Sequence, residues 1–228
     1  MKDPGRRPAA EAEAAALSFR HPETGEWAHA RGVDLFEEAW RSYLEPAWLE
    51  LLTRLGEAPE GRPLRVAEVG FGRGIDLAVL ARRWHGDGQG RPLEALAFEP
   101  HPQGLEPWPA LPAAWRPWAP WWGRPATETD FEWEGLGTLQ RLACGAEEQA
   151  WPGAAVDLVV LDLFSPGRHP AAWSPELFTR LAAAAHEGTL VTSYSCARLV
   201  KDRLAAVGFE ARRVRRPGWR DTLLARPR

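Results

Sequence analysis

Apolar residues along this chain change spacing several times, and each change marks an element. From Asp34 to Leu55 they recur at helical spacing, through Leu35, Phe36, Ala39, Tyr43, Leu44, Trp48, Leu51, Leu52 and Leu55. The spacing predicts helix, with Asp34 as N-cap and Pro46 dividing the run into two helices. Leu64 to Val69 is a short apolar run ending in glycines, the pattern of a strand buried on both faces. A helix over Ile75 to Trp84 and a strand over Leu93 to Glu99 follow. Strand, glycine turn, helix and strand thus fall within about 35 residues, one βαβ unit.

Thr138 to Cys144, Val156 to Asp162 and Thr189 to Ser193 read as further strands. Pro175 to Ala185 reads as a helix with Ser174 as its N-cap, and residues 197–207 as a helix stopped by Gly208. Phe209 to Arg215 and Thr222 to Ala225 suggest a final antiparallel hairpin. The expected fold is α/β, a mostly parallel sheet with that C-terminal hairpin over residues 61–228, preceded by an N-terminal arm and helical extension over 1–60. The arm holds one short helical pattern, Glu11 to Leu17, and is expected to be loosely held. Between Pro100 and Trp133 the chain is crowded with proline and tryptophan (Trp108, Trp115, Trp118, Trp121, Trp122) and loses its period. Those tryptophans are expected in the core rather than stacked on a base.

Composition narrows the classes. At 228 residues one well-buried domain is favoured over two. No run of about 18 apolar residues is present, and Met1 to Arg7 leads into alanine and glutamate rather than a secretory leader, so the cytoplasm is the expected compartment. Two cysteines, Cys144 and Cys196, are too few for a zinc cage or a disulfide framework; free thiols and no metal are expected. A net charge of −3 does not advertise nucleic-acid binding. Local charge does: Arg212, Arg213, Arg215, Arg216 and Arg220 crowd the C-terminal end near Lys201 and Arg203. Strand alternation would put Arg213 and Arg215 on one face, although an ordinary solvated strand explains the cluster equally well.

Glu68-Val69-Gly70-Phe71-Gly72-Arg73-Gly74 lies where a strand stops and a helix starts. Glycines there permit close backbone approach, and free N–H groups at the helix start suit a carboxylate. A dinucleotide fingerprint spaces its glycines G-x-G-x-x-G, so the G-x-G-x-G turn disfavours NAD and instead resembles that of methyltransferases using S-adenosyl-L-methionine. Glu99, ending the next strand, is placed to accept from ribose hydroxyls. Asp162-Leu163-Phe164-Ser165-Pro166 resembles the Asp/Asn-Pro-Pro-aromatic loop of amino methyltransferases, which implies a nitrogen acceptor and makes Asp162 a candidate proton acceptor. Phe164 reads equally as packing or as a substrate contact.

From residue 20 onward the chain resembles the methyltransferase domain of the MnmC type. The matching stretches are Glu68 to Gly74, Asp162 to Pro166 with His169, Pro170 and Trp173, Gly188 to Leu190, and Thr192 to Ala197 before Val200 and Leu204. His29 and Gly32, with Glu38-Ala39, resemble the family's N-terminal pattern, although the serine that pairs with the histidine is here Ala30. The resemblance implies a Rossmann-like class I fold and S-adenosyl-L-methionine as donor. It implies a primary amine on the wobble uridine of tRNA as acceptor, at the anticodon, flipped from its stack. It further implies cofactor contacts at Glu68, Gly70, Phe71, Gly72, Gly74, Glu99, Gly145 and Asp162, with Asp162 catalytic. Substrate contacts are implied at His29, Phe164, Pro166, Tyr194, Arg213, Arg215 and Arg220. Some relatives carry a fused FAD-dependent oxidase domain; without one, an upstream enzyme must supply the aminomethyl uridine. Two further departures from the family lie downstream: Ala146 replaces an acid that meets adenine, with Glu147 as a substitute, and Trp219-Arg220-Asp221 replaces a lysine-arginine-glutamate run.

Other readings stay open at this point. A small free amine could be the methyl acceptor, and an aminopropyltransferase shares the fold and glycine turn. The latter needs an acidic set for a polyamine chain, and none stands out in the sequence. Ala30, Ala146 and Trp219 also fit a non-catalytic protein that binds adenosylmethionine or RNA.

Overall fold

A computed structural model describes residues 34–102, 109–151 and 156–228. The expected arm helix, His29, Ala30, Gly32 and Trp108 lie outside the described residues.

The first helical run starts where expected, with the Asp34 side chain accepting from the Phe36 and Glu37 N–H groups at 2.9 and 3.1 Å. Pro46 does not divide it. Helix α1 (Leu35–Ala39) passes into a π-helical turn (Trp40–Leu44) and then into α2 (Glu45–Gly56), with Pro46 in the first turn of α2. Proline lacks the N–H that Ser42 would need as an i−4 partner, and the widened turn just ahead of it, closed by Glu45 N–H on the Trp40 carbonyl, absorbs that loss. Leu35, Ala39, Leu44, Ala47, Leu51 and Leu55 from this run are at most 3% exposed.

Strand β1 (Leu64–Val69), helix α3 (Ile75–Asp87) and strand β2 (Leu93–Phe98) form the expected βαβ unit. The tryptophan-rich stretch, left without structure by its sequence, holds a 3₁₀ turn (Ala113–Trp118) and the short strand β3 (Asp130–Trp133), which pairs antiparallel with β4 (Gly137–Leu142). Its described tryptophans pack inward: Trp121 and Trp133 are 0% and 2% exposed, and Trp115, Trp118 and Trp122 lie against the same core. Then come β5 (Val156–Leu161), α4 (Pro175–Ala184) capped by Ser174 on the Leu177 N–H, and β6 (Ala185–Ser193), which begins four residues earlier than its apolar run. Helix α5 (Arg198–Ala206) is followed by Gly208 at φ +88°, and β7 (Phe209–Val214) pairs antiparallel with β8 (Thr222–Pro227) as expected.

The eight strands run in the order β3-β4-β2-β1-β5-β6-β8-β7. β4, β2, β1, β5 and β6 are parallel; β8 is inserted antiparallel between β6 and β7. Two cores cover the two faces, one built with α1, α2 and α3 and the other with α4 and α5. Strand order reverses between β1 and β5, and in such sheets the crevice at the carboxyl ends beside that reversal is the ligand site. β1 ends at Glu68-Val69 and β5 at Leu161, so the glycine turn and Asp162 meet there. Among the described residues no helix is long and apolar enough to cross a membrane.

Candidate active site

The glycine turn is held from two sides. Gly70 lies at φ +88°, and a Cβ on it would collide with the Asp162 carbonyl, so β1 and β5 converge here only with glycine. Gly74, at φ +71°, caps α3, and a Cβ on it would strike the Phe71 ring and the Trp121 indole. Trp121 donates its Nε1–H to the Arg73 carbonyl at 3.0 Å, and its ring meets Phe71 edge-on at 5.3 Å. The tryptophan-rich insert thus fixes the turn from below, a contact that no local pattern in either segment reveals.

At the end of β2, Glu99 is 9% exposed and accepts from the Gly72 N–H at 2.7 Å and the His101 N–H at 2.9 Å. Burial pushes its carboxyl above the usual range, against the lowering effect of those two N–H donors. Gly145, after β4, donates its N–H to Glu148 at 2.8 Å and lies beside the Glu147 carboxylate. Ala146 is buried, and its carbonyl accepts from Trp151 at 2.8 Å.

Asp162 follows β5 and is half-buried. Tyr43, presented by the π-helical turn, donates its hydroxyl to Asp162 Oδ1 in a short hydrogen bond. Burial pushes the Asp162 carboxyl up to about 7, with Glu38 and Glu99 adding to the rise and the Tyr43 bond opposing it. The Tyr43 hydroxyl itself is driven well above its ordinary value by burial and then by the Asp162 charge, so it remains a donor. Tyr194 stands edge-on to Tyr43 at 6.1 Å and donates to the Leu163 carbonyl at 2.9 Å, while Trp173 donates to the Phe164 carbonyl at 2.8 Å. In the loop after β5, Phe164 is half-buried and Pro166 is buried.

The site gathers an acidic set that the sequence did not display. Glu68 and Asp76 are 1% and 2% exposed, and Asp76 lies in the first turn of α3. Both carboxyls are raised well above the ordinary range, first by burial, then for Glu68 by Asp76 and Asp162 and for Asp76 by Asp162 and Glu38. With Glu38, Glu99 and Asp162 they make five carboxyl groups drawn from five separate segments, a set that does not stand out in the sequence. Tyr43 and Asp76 carried no local signal: the first fits an apolar helical position and the second the acidic first turn of a helix.

The arginine cluster divides. β7 stops at Val214, so the alternation that was to pair Arg213 with Arg215 on one strand face does not extend to Arg215. Arg213 is exposed and forms an ion pair with Asp221 at 3.2 Å; Arg215 and Arg220 are exposed. Arg216 turns inward, pairing with Glu45 and donating to the Arg41 carbonyl at 2.8 Å, and so ties the β7–β8 connection to the first helical run. Among the described residues no group of three His, Cys, Asp or Glu side chains is arranged to hold a metal.

A doubly wound sheet with a glycine turn after its first strand and acids at the ends of β2 and β5 defines a Rossmann-like enzyme for a nucleoside-bearing cofactor. A family model described as S-adenosyl-L-methionine-dependent methyltransferase matches residues 113–226, half of the chain, and the chain belongs to that family. Among curated proteins, it is 31% identical over 177 residues to the tRNA 5-methylaminomethyl-2-thiouridine biosynthesis bifunctional protein MnmC of Caulobacter sp. (strain K31), covering 68% of this chain and 28% of that protein. The protein of the same name from Cupriavidus necator is 31% identical over 175 residues, covering 69% of this chain and 25% of that one. The chain therefore spans about a quarter of the length of these relatives. Among solved structures, MnmC2 from Aquifex aeolicus superposes with a TM-score of 0.75 at 24% identity, covering 92% of this chain and 66% of that one, a likeness of fold.

The residues present fit the donor of this family. The glycine turn and the start of α3 offer backbone N–H groups to a carboxylate, and Glu99 offers acceptors to ribose hydroxyls. Buried carboxylate oxygens without hydrogen-bond partners among the described residues, Glu68 Oε2 and both of Asp76, suit a ligand bearing positive charge.

Proposed function

We propose that this chain methylates the 5-aminomethyl group of the wobble uridine in tRNA, giving 5-methylaminomethyluridine, with or without a 2-thio group. The observation that carries the reading is the Asp162 carboxyl at the mouth of the cofactor crevice, held by Tyr43 and tuned to about 7. S-adenosyl-L-methionine supplies an electrophilic methyl group. An alkylamine acceptor, with a reference pKa of about 10.4, arrives protonated and has no lone pair to attack with. Asp162, ionised near neutrality, takes that proton, while its loop, pinned by Tyr194 and Trp173, orients the amine behind the methyl group. Glu68, Gly70, Phe71, Gly72, Gly74, Glu99, Gly145 and Asp162 line the donor's place, with Glu147 standing in for the missing acid at Ala146.

The names of the MnmC relatives support a tRNA acceptor, and exposed Arg213, Arg215 and Arg220 supply cations for its backbone. Phe164 is the residue we assign to the flipped base; Pro166 shapes the loop, and Tyr194 acts through it. His29, outside the described residues, remains a proposed substrate contact. A tRNA acceptor implies the cytoplasm and an upstream enzyme that installs the aminomethyl group. One observation favours a second reading: five clustered carboxyls also suit a small free amine or polyamine as methyl acceptor.

Labelled S-adenosyl-L-methionine incubated with tRNA from cells lacking wobble-uridine methylation, followed by nucleoside mass analysis, separates the two. Label on 5-methylaminomethyluridine is the expected result. Label on free amines alone would move the assignment to the second reading.

A further inference from the structure

Asp76 has a burden that the described residues do not relieve. Its carboxylate is 2% exposed, and neither Oδ1 nor Oδ2 has a hydrogen-bond partner among them. Glu68 Oε2 is buried and unpartnered as well. A buried carboxylate is ordinarily paired, coordinated or fully hydrogen-bonded, because its desolvation is otherwise uncompensated. The groups acting on Asp76 are Asp162 and Glu38, both acidic, so its surroundings add repulsion. Its position is fixed: it lies two residues beyond Gly74, in the first turn of α3, and Gly70 of the glycine turn abuts the Asp162 backbone.

Among the described residues only acids act on Asp76 and Glu68, and the donor and its product differ by one positive charge. S-adenosyl-L-methionine carries a methylsulfonium. When the C–S bond breaks and the N–C bond forms, the electron pair stays on sulfur, which becomes a neutral thioether. We infer that Asp76, with Glu68, selects the cationic donor over its neutral product, so that affinity drops as the methyl group leaves and release follows. Asp76 is a specificity-determining residue in this account and takes no proton from the acceptor. The inference depends on the donor alone, so the failure of the tRNA assay leaves it standing, and the failure of this one leaves the acceptor assignment standing.

Isothermal titration of the protein with S-adenosyl-L-methionine, S-adenosylhomocysteine and sinefungin, in which a protonated amine on carbon replaces the methylsulfonium, tests it without turnover. The unaltered protein is expected to bind both cationic ligands at least about tenfold more tightly than the thioether, as a charge pair a few ångströms apart in a shielded site allows. Asp76→Asn, isosteric and uncharged, is expected to remove most of that preference by weakening the two cations, with the thioether held as well or better. Asp76→Ser, checked by its melting transition, gives the same comparison if Asn misfolds. An equal loss for all three ligands would place Asp76 on the amino group they share and overturn the inference. Unchanged ratios in both variants would overturn it too.

Discussion

Tyr43 and Asp162 lie 119 residues apart in sequence yet share a short hydrogen bond, and the site's chemistry turns on the environment this pair creates. The Asp162 carboxyl rises from an ordinary value of 3.8 to about 7, and Glu68 and Asp76 rise with it. The sign of the consequence follows from proton binding. Below pH about 4 the folded and unfolded chains both hold the Asp162 proton; between about 4 and 7 only the folded chain does, so rising pH favours unfolding across that window. Without donor, the melting temperature is expected to fall over that range, and Asp162→Asn to flatten the fall in scanning calorimetry. Parallel curves for the two proteins would contradict the burial assigned to this carboxyl. The glycines, Glu99 and Asp162 were legible in the sequence because they occupy strand ends in a known order. Tyr43, Asp76 and Trp121 were not, because each satisfies a bland local pattern and acquires its role only through contacts across the fold.

At the scale of elements, most strands and helices were legible because a sheet buried on both faces forces nearly continuous apolar runs. Two features escaped. The four-residue strand β3 alternates exposed and buried positions, too briefly to stand out beside so much proline and tryptophan. The π-helical turn replaced the expected break at Pro46, and it is this turn that brings Tyr43 to the site. The tryptophan-rich insert reaches the glycine turn through Trp121, whose indole N–H satisfies the Arg73 carbonyl. Trp121→Phe keeps much of the packing but leaves that carbonyl unpaired, at a cost of about 1–3 kcal/mol. Chemical denaturation is expected to show that loss together with weaker donor binding. An unaltered donor affinity would mean that the insert supports the core and not the turn.

Over the whole molecule, a net charge of −3 conceals an uneven distribution: carboxyls gather inside the crevice, and Arg213, Arg215 and Arg220 are exposed at the C-terminal end. Carboxyls inside and exposed arginines outside are the charge distribution that the proposed reaction between a cationic donor and a tRNA acceptor calls for. Replacing Arg213 and Arg215 together with alanine is expected to weaken tRNA binding across sequences and to reduce the slope of log affinity against log salt by about 2, roughly one per lost phosphate contact. An unchanged slope in filter binding would remove both residues from the interface. Arg216 is excluded from that pair because its side chain is largely buried in the ion pair with Glu45 that joins the β7–β8 connection to the first helical run, whereas Arg213 stays exposed beside Asp221. Net charge alone offered no way to tell these arginines apart; their burial did.

The most direct measurement is the pH dependence of kcat/KM for methyl transfer, compared between the unaltered protein, Tyr43→Phe and Asp162→Asn. If Asp162 accepts the amine proton, the unaltered protein shows an ascending limb at about 7. Tyr43→Phe, having lost the bond that lowers the Asp162 carboxyl, moves the limb to higher pH and recovers activity there. Asp162→Asn loses the limb and slows transfer by about 10²–10⁴-fold while still binding donor. The same limb in all three proteins, or near-normal transfer by Asp162→Asn, would contradict the account.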